Sequence, residues 1–188
     1  MTSLGFSSGL AALLFIAACS KPAEPEPTPA PTPAPAAPSS GSKPASVSPS
    51  DIAYTVPGAW QSVPTTSQMR KASFKIPRAD GDGEDGDLSV SQASGGVDGN
   101  VQRWAGQFGN ATPKKESRTP NGLKVTVVEL TGTYAGMGGA SKDHYMLLGA
   151  VVEGTGDQLH FFKLVGPEKT VTAAKKDFDA FVASFHAK

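Results

Sequence analysis

From Arg70 to Ile76 the chain alternates, with Ala72, Phe74 and Ile76 on one side and Lys71, Ser73 and Lys75 on the other. That period of two is what a half-buried β-strand requires. Pro77 ends the strand, and Leu88 with Val90 opens the next one after a loop of aspartates and glycines. Three further segments, 123–134, 144–153 and 159–165, are rich in Val, Leu and Phe and separated by glycine-containing turns. They read as neighbouring antiparallel strands, the last two closed by a hairpin at Gly154-Thr-Gly-Asp157. Ahead of them, Tyr54 to Trp60 reads as a short strand and turn, with Trp60 covering one end of the core. Elsewhere the period changes to that of a helix. Residues 98–109 bring Val101, Trp104, Ala105 and Phe108 onto one face, with Asp98 as N-cap. Residues 168–186 do the same with Val171, Ala174, Phe178, Phe181, Val182 and Phe185, behind Pro167 and Glu168. The expectation is an α+β domain, an antiparallel sheet of about five to six strands with two packed helices.

Neither period appears in the first fifty residues. Leu10 to Ala18 is an apolar run of signal-peptide length, too short to span a bilayer. It ends in Ile16-Ala17-Ala18-Cys19, which resembles the lipobox of bacterial lipoproteins: a branched apolar residue, two small residues, then the modified cysteine. The small residues let the peptide lie extended in a protease groove, and the thiol stands at the cleavage point. No Lys or Arg precedes the run, so the amino terminus supplies the positive charge. The resemblance implies a signal peptide over 1–18 and lipidation of Cys19 by three acyl chains. Each buried methylene adds about 0.8 kcal/mol, so several chains together hold a protein to a membrane. In Gram-negative lipoproteins an Asp after the cysteine favours inner-membrane retention; Ser20 stands here, which points to the outer membrane.

Residues 19–50 follow as a tether. KPAEPEPTPAPTPAPAAPSSGSKPASVSPS carries almost no branched or aromatic residue and cannot bury enough apolar surface to fold. As polyproline II, rising about 3.1 Å per residue, it could extend to roughly 90 Å. Ser40-Gly-Ser-Lys43 has the S-x-x-K spacing of acylating serine enzymes, but such a backbone cannot preorganise a nucleophile. A single globular domain is expected over 51–188.

Within that domain, Val56-Pro-Gly-Ala-Trp60, Phe74-Lys-Ile-Pro77, Asn100-Val-Gln-Arg-Trp104, Phe161-Phe-Lys-Leu-Val-Gly166 and Asp177-Phe-Asp-Ala-Phe-Val-Ala-Ser-Phe185 resemble a group of uncharacterised bacterial lipoproteins. More distantly, the order of elements and the terminal helix ending in Ser-Phe are similar to the Mog1/PsbP-like fold. That resemblance implies an α/β/α sandwich as the alternative arrangement, and transfers no function.

Composition removes several classes. Lys and Arg number 17 against 17 Asp and Glu, two of each before residue 51, so the domain carries no field to draw in nucleic acid. One cysteine permits neither an internal disulfide nor a cysteine-built zinc site. The run Asp80-Gly-Asp-Gly-Glu-Asp-Gly-Asp87 fails as an EF-hand, with Asp85 where glycine is needed and Ser91 where the bidentate Glu belongs. It reads as a solvated loop. Gly95-Gly96 and Gly136-Met-Gly-Gly139 match no phosphate or dinucleotide fingerprint, so no cofactor is expected. His144, His160 and His186 are scattered, and no serine stands in a nucleophile elbow. Candidate partner contacts are Arg103 and Gln107, one turn apart on the flank of the first helix, and Met137 at a loop tip. The reading is a membrane-anchored, non-enzymatic envelope module that binds or supports an envelope protein or cell-wall component. An ion- or small-ligand-binding module is the second reading, and an enzyme with an unrecognised site the third.

Overall fold

The computed structural model describes residues 52–65, 67–136, 139–154 and 158–188. Cys19, the signal segment, the tether and Met137 lie outside the described residues. In chain order the elements are β1 (Ile52–Ala53), β2 (Gln61–Val63), β3 (Arg70–Ile76), β4 (Gly86–Ser94), α1 (Val97–Gly106), β5 (Lys114–Arg118), β6 (Val125–Tyr134), β7 (Lys142–Glu153), β8 (Gln158–Pro167), α2 (Glu168–Ala173), α3 (Lys175–Ala183) and β9 (His186–Ala187). Seven strands form one antiparallel sheet in the order β2-β3-β4-β8-β7-β6-β5, and β1 pairs with β9 as a separate two-stranded ribbon. The domain is α+β as expected, with more strands than the apolar pattern announces.

Strand position explains strand composition. β7 and β8 lie inside the sheet with both faces packed, so Tyr145 to Val152 is buried without interruption. Such a strand reads as a continuous apolar run. The edges are β2, with Gln-Ser-Val, and β5, with Lys-Lys-Glu-Ser-Arg. Short or charged edges resist pairing with another chain. β5 is held by five register pairs to β6 and by Arg118, whose guanidinium donates to Asp179 Oδ1 on α3 at 2.8 Å.

The expected terminal helix is present as α2 and α3 on either side of Ala174. Ala174 keeps right-handed helical angles, and Phe178 N–H donates to its carbonyl at 2.8 Å, so the apolar stripe continues through the break. At the far end Ser184 Oγ donates to Phe181 O at 2.7 Å, and Asn121 Nδ2 donates to Phe185 O at 2.8 Å. These bonds satisfy carbonyls that a helix end leaves open. His186, expected at a frayed helix end, is instead extended in β9. The first helix begins at Val97, with Gly96 at its cap position; Asp98 sits in the first turn and makes no side-chain cap bond.

The two sheet faces are covered differently. Beneath α2 and α3, Phe74, Ile76, Leu88, Val90, Leu148, Phe162 and Leu164 meet Val171, Phe178, Phe181, Val182 and Phe185. Tyr54 stands edge-on to Phe162 and Phe181, with centroids 5.4 and 5.1 Å away, and Trp60 packs on Phe181 at 5.1 Å. Beneath α1, Val128, Leu130, Leu147, Val151 and Phe161 meet Val101, Trp104, Ala105 and Phe108. Trp104 reaches the sheet because position 149 has no side chain: a Cβ on Gly149 would come within 2.3 Å of the indole ring. No helix among the described residues is long and apolar enough to cross a membrane.

Candidate functional site

α1 packs on the second face over β6, β7, β8 and the Ala93 end of β4. Beside it, on the rest of β4 and on β3, the positions of this face change character, with Ser89 and Ser91 half-buried and Ser73 buried. One rung of the sheet runs Ser73, Ser89, Lys163, Gly149, Val128 across β3, β4, β8, β7 and β6. Under Trp104 the rung is glycine and valine; outside it, two serines and a lysine. Ser91, one rung on, lies beside Phe161. Small hydroxyl residues thus floor a shelf where covered strands carry Val, Leu or Phe.

Arg70 belongs to this shelf because of a bulge. Simple alternation would put Arg70 on the same face as Ala72 and Phe74. The register slips between Arg70 and Ala72, pairing Arg70 with Ser91 and Ala72 with Val90. Such an insertion redirects a side chain. Arg70 therefore points to the open face, donating to both oxygens of Asp87 at 3.2 and 3.0 Å and to Ser73 Oγ at 3.3 Å.

Lys163 lies at the foot of α1, half-buried. Its Nζ donates to Gln107 Oε1 at 2.5 Å and lies 5.6 Å from the centre of the Tyr134 ring. Burial and the neighbouring charges of Arg70 and Arg103 push its amine down to about 8, against a weaker opposing pull from Asp87. The wall is built by tertiary contacts. Gln107 O accepts from Ala135 N–H at 2.7 Å, and Tyr134 packs on Phe108 and stacks on Tyr145 with centroids 5.8 Å apart. Burial, and then the charge of Asp87, holds the Tyr134 phenol above its ordinary value.

The structure brings Arg103 and Gln107 to this one place. Arg103 is exposed and donates to Asn100 Oδ1 at 2.7 Å, while Gln107 turns inward at the end of α1 to meet Lys163. Lys163, Arg70 and the serine floor were not singled out from the sequence. The available signal was the alternation of Ser73, Ser89 and Ser91 with Phe74, Leu88 and Val90 on two adjacent strands. Trp104 is core, 4% exposed.

The acidic loop between β3 and β4 is largely exposed, and three of its carboxylates are also tied to the domain. Asp82 Oδ2 accepts from Thr170 N–H at 2.9 Å and from its hydroxyl at 2.5 Å. Asp85 Oδ1 accepts from Arg78 N–H at 3.2 Å. Glu84 accepts from Lys142 Nζ at 2.7 and 2.9 Å and from the Tyr145 hydroxyl; these bonds, Lys142 first, hold its carboxyl below the usual range. Among the described residues no three His, Cys, Asp or Glu side chains converge as a metal site.

The histidines fall in three different settings. His160 is buried on the α2–α3 side, its Nδ1 lying 3.1 Å from Gln92 Nε2. Both border a cavity of about 340 Å³ that Tyr54, Val90, Phe162, Lys71 and Lys188 also line. His144 is exposed in β7 with φ of +57°, beside a hollow shared with Asp82, Glu168 and Lys169. His186 lies in the β1–β9 ribbon.

No protein-family model matches the chain, and no curated protein matches it as a significant relative. Solved structures of similar fold include a protein of unknown function, PA94, from Pseudomonas aeruginosa. It has a TM-score of 0.48 and 11% identity over 70% of this chain and 99% of that one. Cyanobacterial PsbP from Synechocystis sp. PCC 6803 has a TM-score of 0.46 and 18% identity over 81% of this chain and 100% of that one. LpqN of Mycobacterium tuberculosis, involved in cell envelope biogenesis in that organism, has a TM-score of 0.46 and 15% identity over 73% and 84%. At such identities function has to be argued from this chain's own residues.

Proposed function

We propose that this chain is an envelope lipoprotein, anchored through Cys19 and held off the membrane by the proline-rich segment, whose domain is a non-enzymatic binding module. Its contact surface is the open shelf beside α1. One observation carries the second half of this reading: α2 and α3 close one sheet face with aromatic side chains, whereas beside α1 the other face carries serines and the half-buried Lys163 in place of apolar side chains. A face kept polar where apolar residues would add stability is a face kept for contact. Arg103 and Gln107 form its rim, and the partner is an envelope component, protein or cell wall, approached at the reach of the tether. Ser20 after the lipidated cysteine supports the outer membrane.

Two measurements test it. Intact mass of the mature protein from native membranes should show acylated Cys19, and Cys19→Ala should become soluble or stay unprocessed. A photo-crosslinking residue at position 107 should capture a discrete envelope partner, and the same residue at Lys176, on an exposed position of α3, should not. Equal capture at both positions would reject the shelf as the contact surface.

A further inference from the structure

Resting on the shelf as a binding surface, we propose that its floor is an oxyanion site, taking a carboxylate or phosphate group of a small ligand onto the Lys163 amine between Arg70 and Arg103.

Three placements carry this, each made by a different element. β8 sets Lys163 beside Ser89, and Ser73 follows in the same rung. Ser89 is half-buried, and Ser73 is buried beneath the Arg70 guanidinium that donates to it, so the rung ends in hydroxyls rather than in bulky apolar side chains. The bulge in β3 turns Arg70 onto the same face, where it is held by Asp87 and Ser73. α1 brings Arg103, fixed through one guanidinium nitrogen to Asn100, with further N–H donors to offer.

The charge does not balance. Arg70 and Arg103 both act on Lys163 with like sign, and Asp87 opposes them while already forked by Arg70. The Lys163 amine spends its hydrogen bond on a neutral amide oxygen, Gln107 Oε1. Among the described residues no carboxylate lies within ion-pair distance of it, while Asp87 and Glu84 each serve another cation nearby. Bringing in an anion supplies the acceptor that the floor lacks and relieves three like charges together; a neutral or cationic ligand does neither. Hydrogen bonds between ionised partners are also the stronger kind.

The test is a titration of the isotopically labelled full chain with sodium phosphate and, separately, sodium acetate, at ionic strength held constant with sodium chloride. The reporters are the Gln107 side-chain amide, the Trp104 indole N–H and the Arg103 guanidinium. Saturable shifts confined to these groups are expected for at least one anion. Phosphate alone would assign a phosphoryl ligand, acetate alone a carboxylate. Lys163→Met should weaken the response about tenfold or more, the scale of one lost charge-assisted hydrogen bond. Arg103→Gln, on an exposed position, should weaken it several-fold, and it carries the test should Lys163→Met lose its dispersed spectrum. Shifts reproduced by chloride alone, or unchanged in both variants, overturn the site. A silent titration beside specific crosslinking from position 107 would overturn the oxyanion site and leave the binding module standing. Saturation without any specific crosslink would do the reverse.

Discussion

The two faces of the seven-stranded sheet are made from the same strands and differ in what they were given to cover them. Toward α2 and α3, β3, β4 and β8 present Phe74, Ile76, Leu88, Val90, Phe162 and Leu164, and the helices answer with Phe178, Phe181 and Phe185. Toward α1 the same three strands present Ser73, Asp87, Ser89, Ser91 and Lys163 wherever the helix does not reach. Two consecutive residues, Phe162 and Lys163, therefore meet opposite environments: a ring 4.3 Å from Phe185 on one side, a cationic shelf on the other. Alternation along a strand lets one segment serve stability and contact at once, because each face can be set without disturbing the other.

Substitutions on the two faces should separate in size and in sign. Phe162→Ala should cost the most, about 3–5 kcal/mol, since it empties space beneath Tyr54, Phe181 and Phe185. Denaturant unfolding would show it, and a loss under 1 kcal/mol would mean the closed face is loosely packed. Gly149→Val comes next, at about 1–3 kcal/mol or more, because its Cβ alone would meet Trp104 at 2.3 Å. It should also red-shift Trp104 emission as the indole, 4% exposed in the wild type, leaves the sheet.

Lys163→Met should change sign and raise stability at neutral pH. The folded amine titrates near 8, below its ordinary 10.5, with Arg70, Asp87, Arg103, Gln107 and Tyr134 around it. Below pH 8 both folded and unfolded chains carry the charge, and the fold bears the full cost. As pH rises from 8 toward 10.5 the unfolded chain alone keeps the proton, so wild-type stability climbs at up to about 1.4 kcal/mol per pH unit. The raised phenols of Tyr134 and Tyr145 act the other way: their contribution is lost as pH passes above 10. The gap between wild type and Lys163→Met should accordingly narrow between pH 8 and 10 in thermal melts, and a gap constant with pH would show the amine to be unperturbed.

Asp82→Ala should cost about 1 kcal/mol, typical of a lost cap acceptor, by freeing the acidic loop from Thr170. Calcium should not restore it. Arg103→Gln should move stability by under about 0.5 kcal/mol, as for an exposed polar contact. It would thus be the cleanest probe of contact without fold.

The closed face was legible in the sequence because its signal is redundant: Phe74 with Ile76, Leu88 with Val90, and the stripe from Val171 to Phe185 each show their period alone. β5 was not, because Lys-Lys-Glu-Ser-Arg pairs through its backbone and buries none of its residues fully. The shelf was half legible. Arg103 and Gln107 follow from the flank of an amphipathic helix, but Arg70 arrives through a register slip, and Lys163 sits in the apolar run Phe161-Phe-Lys-Leu-Val165. Neither position announces its face until strand order is known. The contacts of the loop 80–87 were hidden for a related reason: its partners Thr170, Lys142 and Tyr145 come from β7 and α2, far along the chain.

The β1–β9 ribbon gives the domain a mechanical grain. Ile52 pairs with Ala187 and Ala53 with His186, and Thr55 N–H donates to Ser184 Oγ at 2.9 Å. Tension arriving along the backbone from before Ile52 falls first on those two pairings, then on one hydroxyl, and only afterwards on Tyr54 and the aromatic core. Pulled from its N-terminal side, the domain would part with its last residues and keep its sheet, the ribbon acting as a fuse.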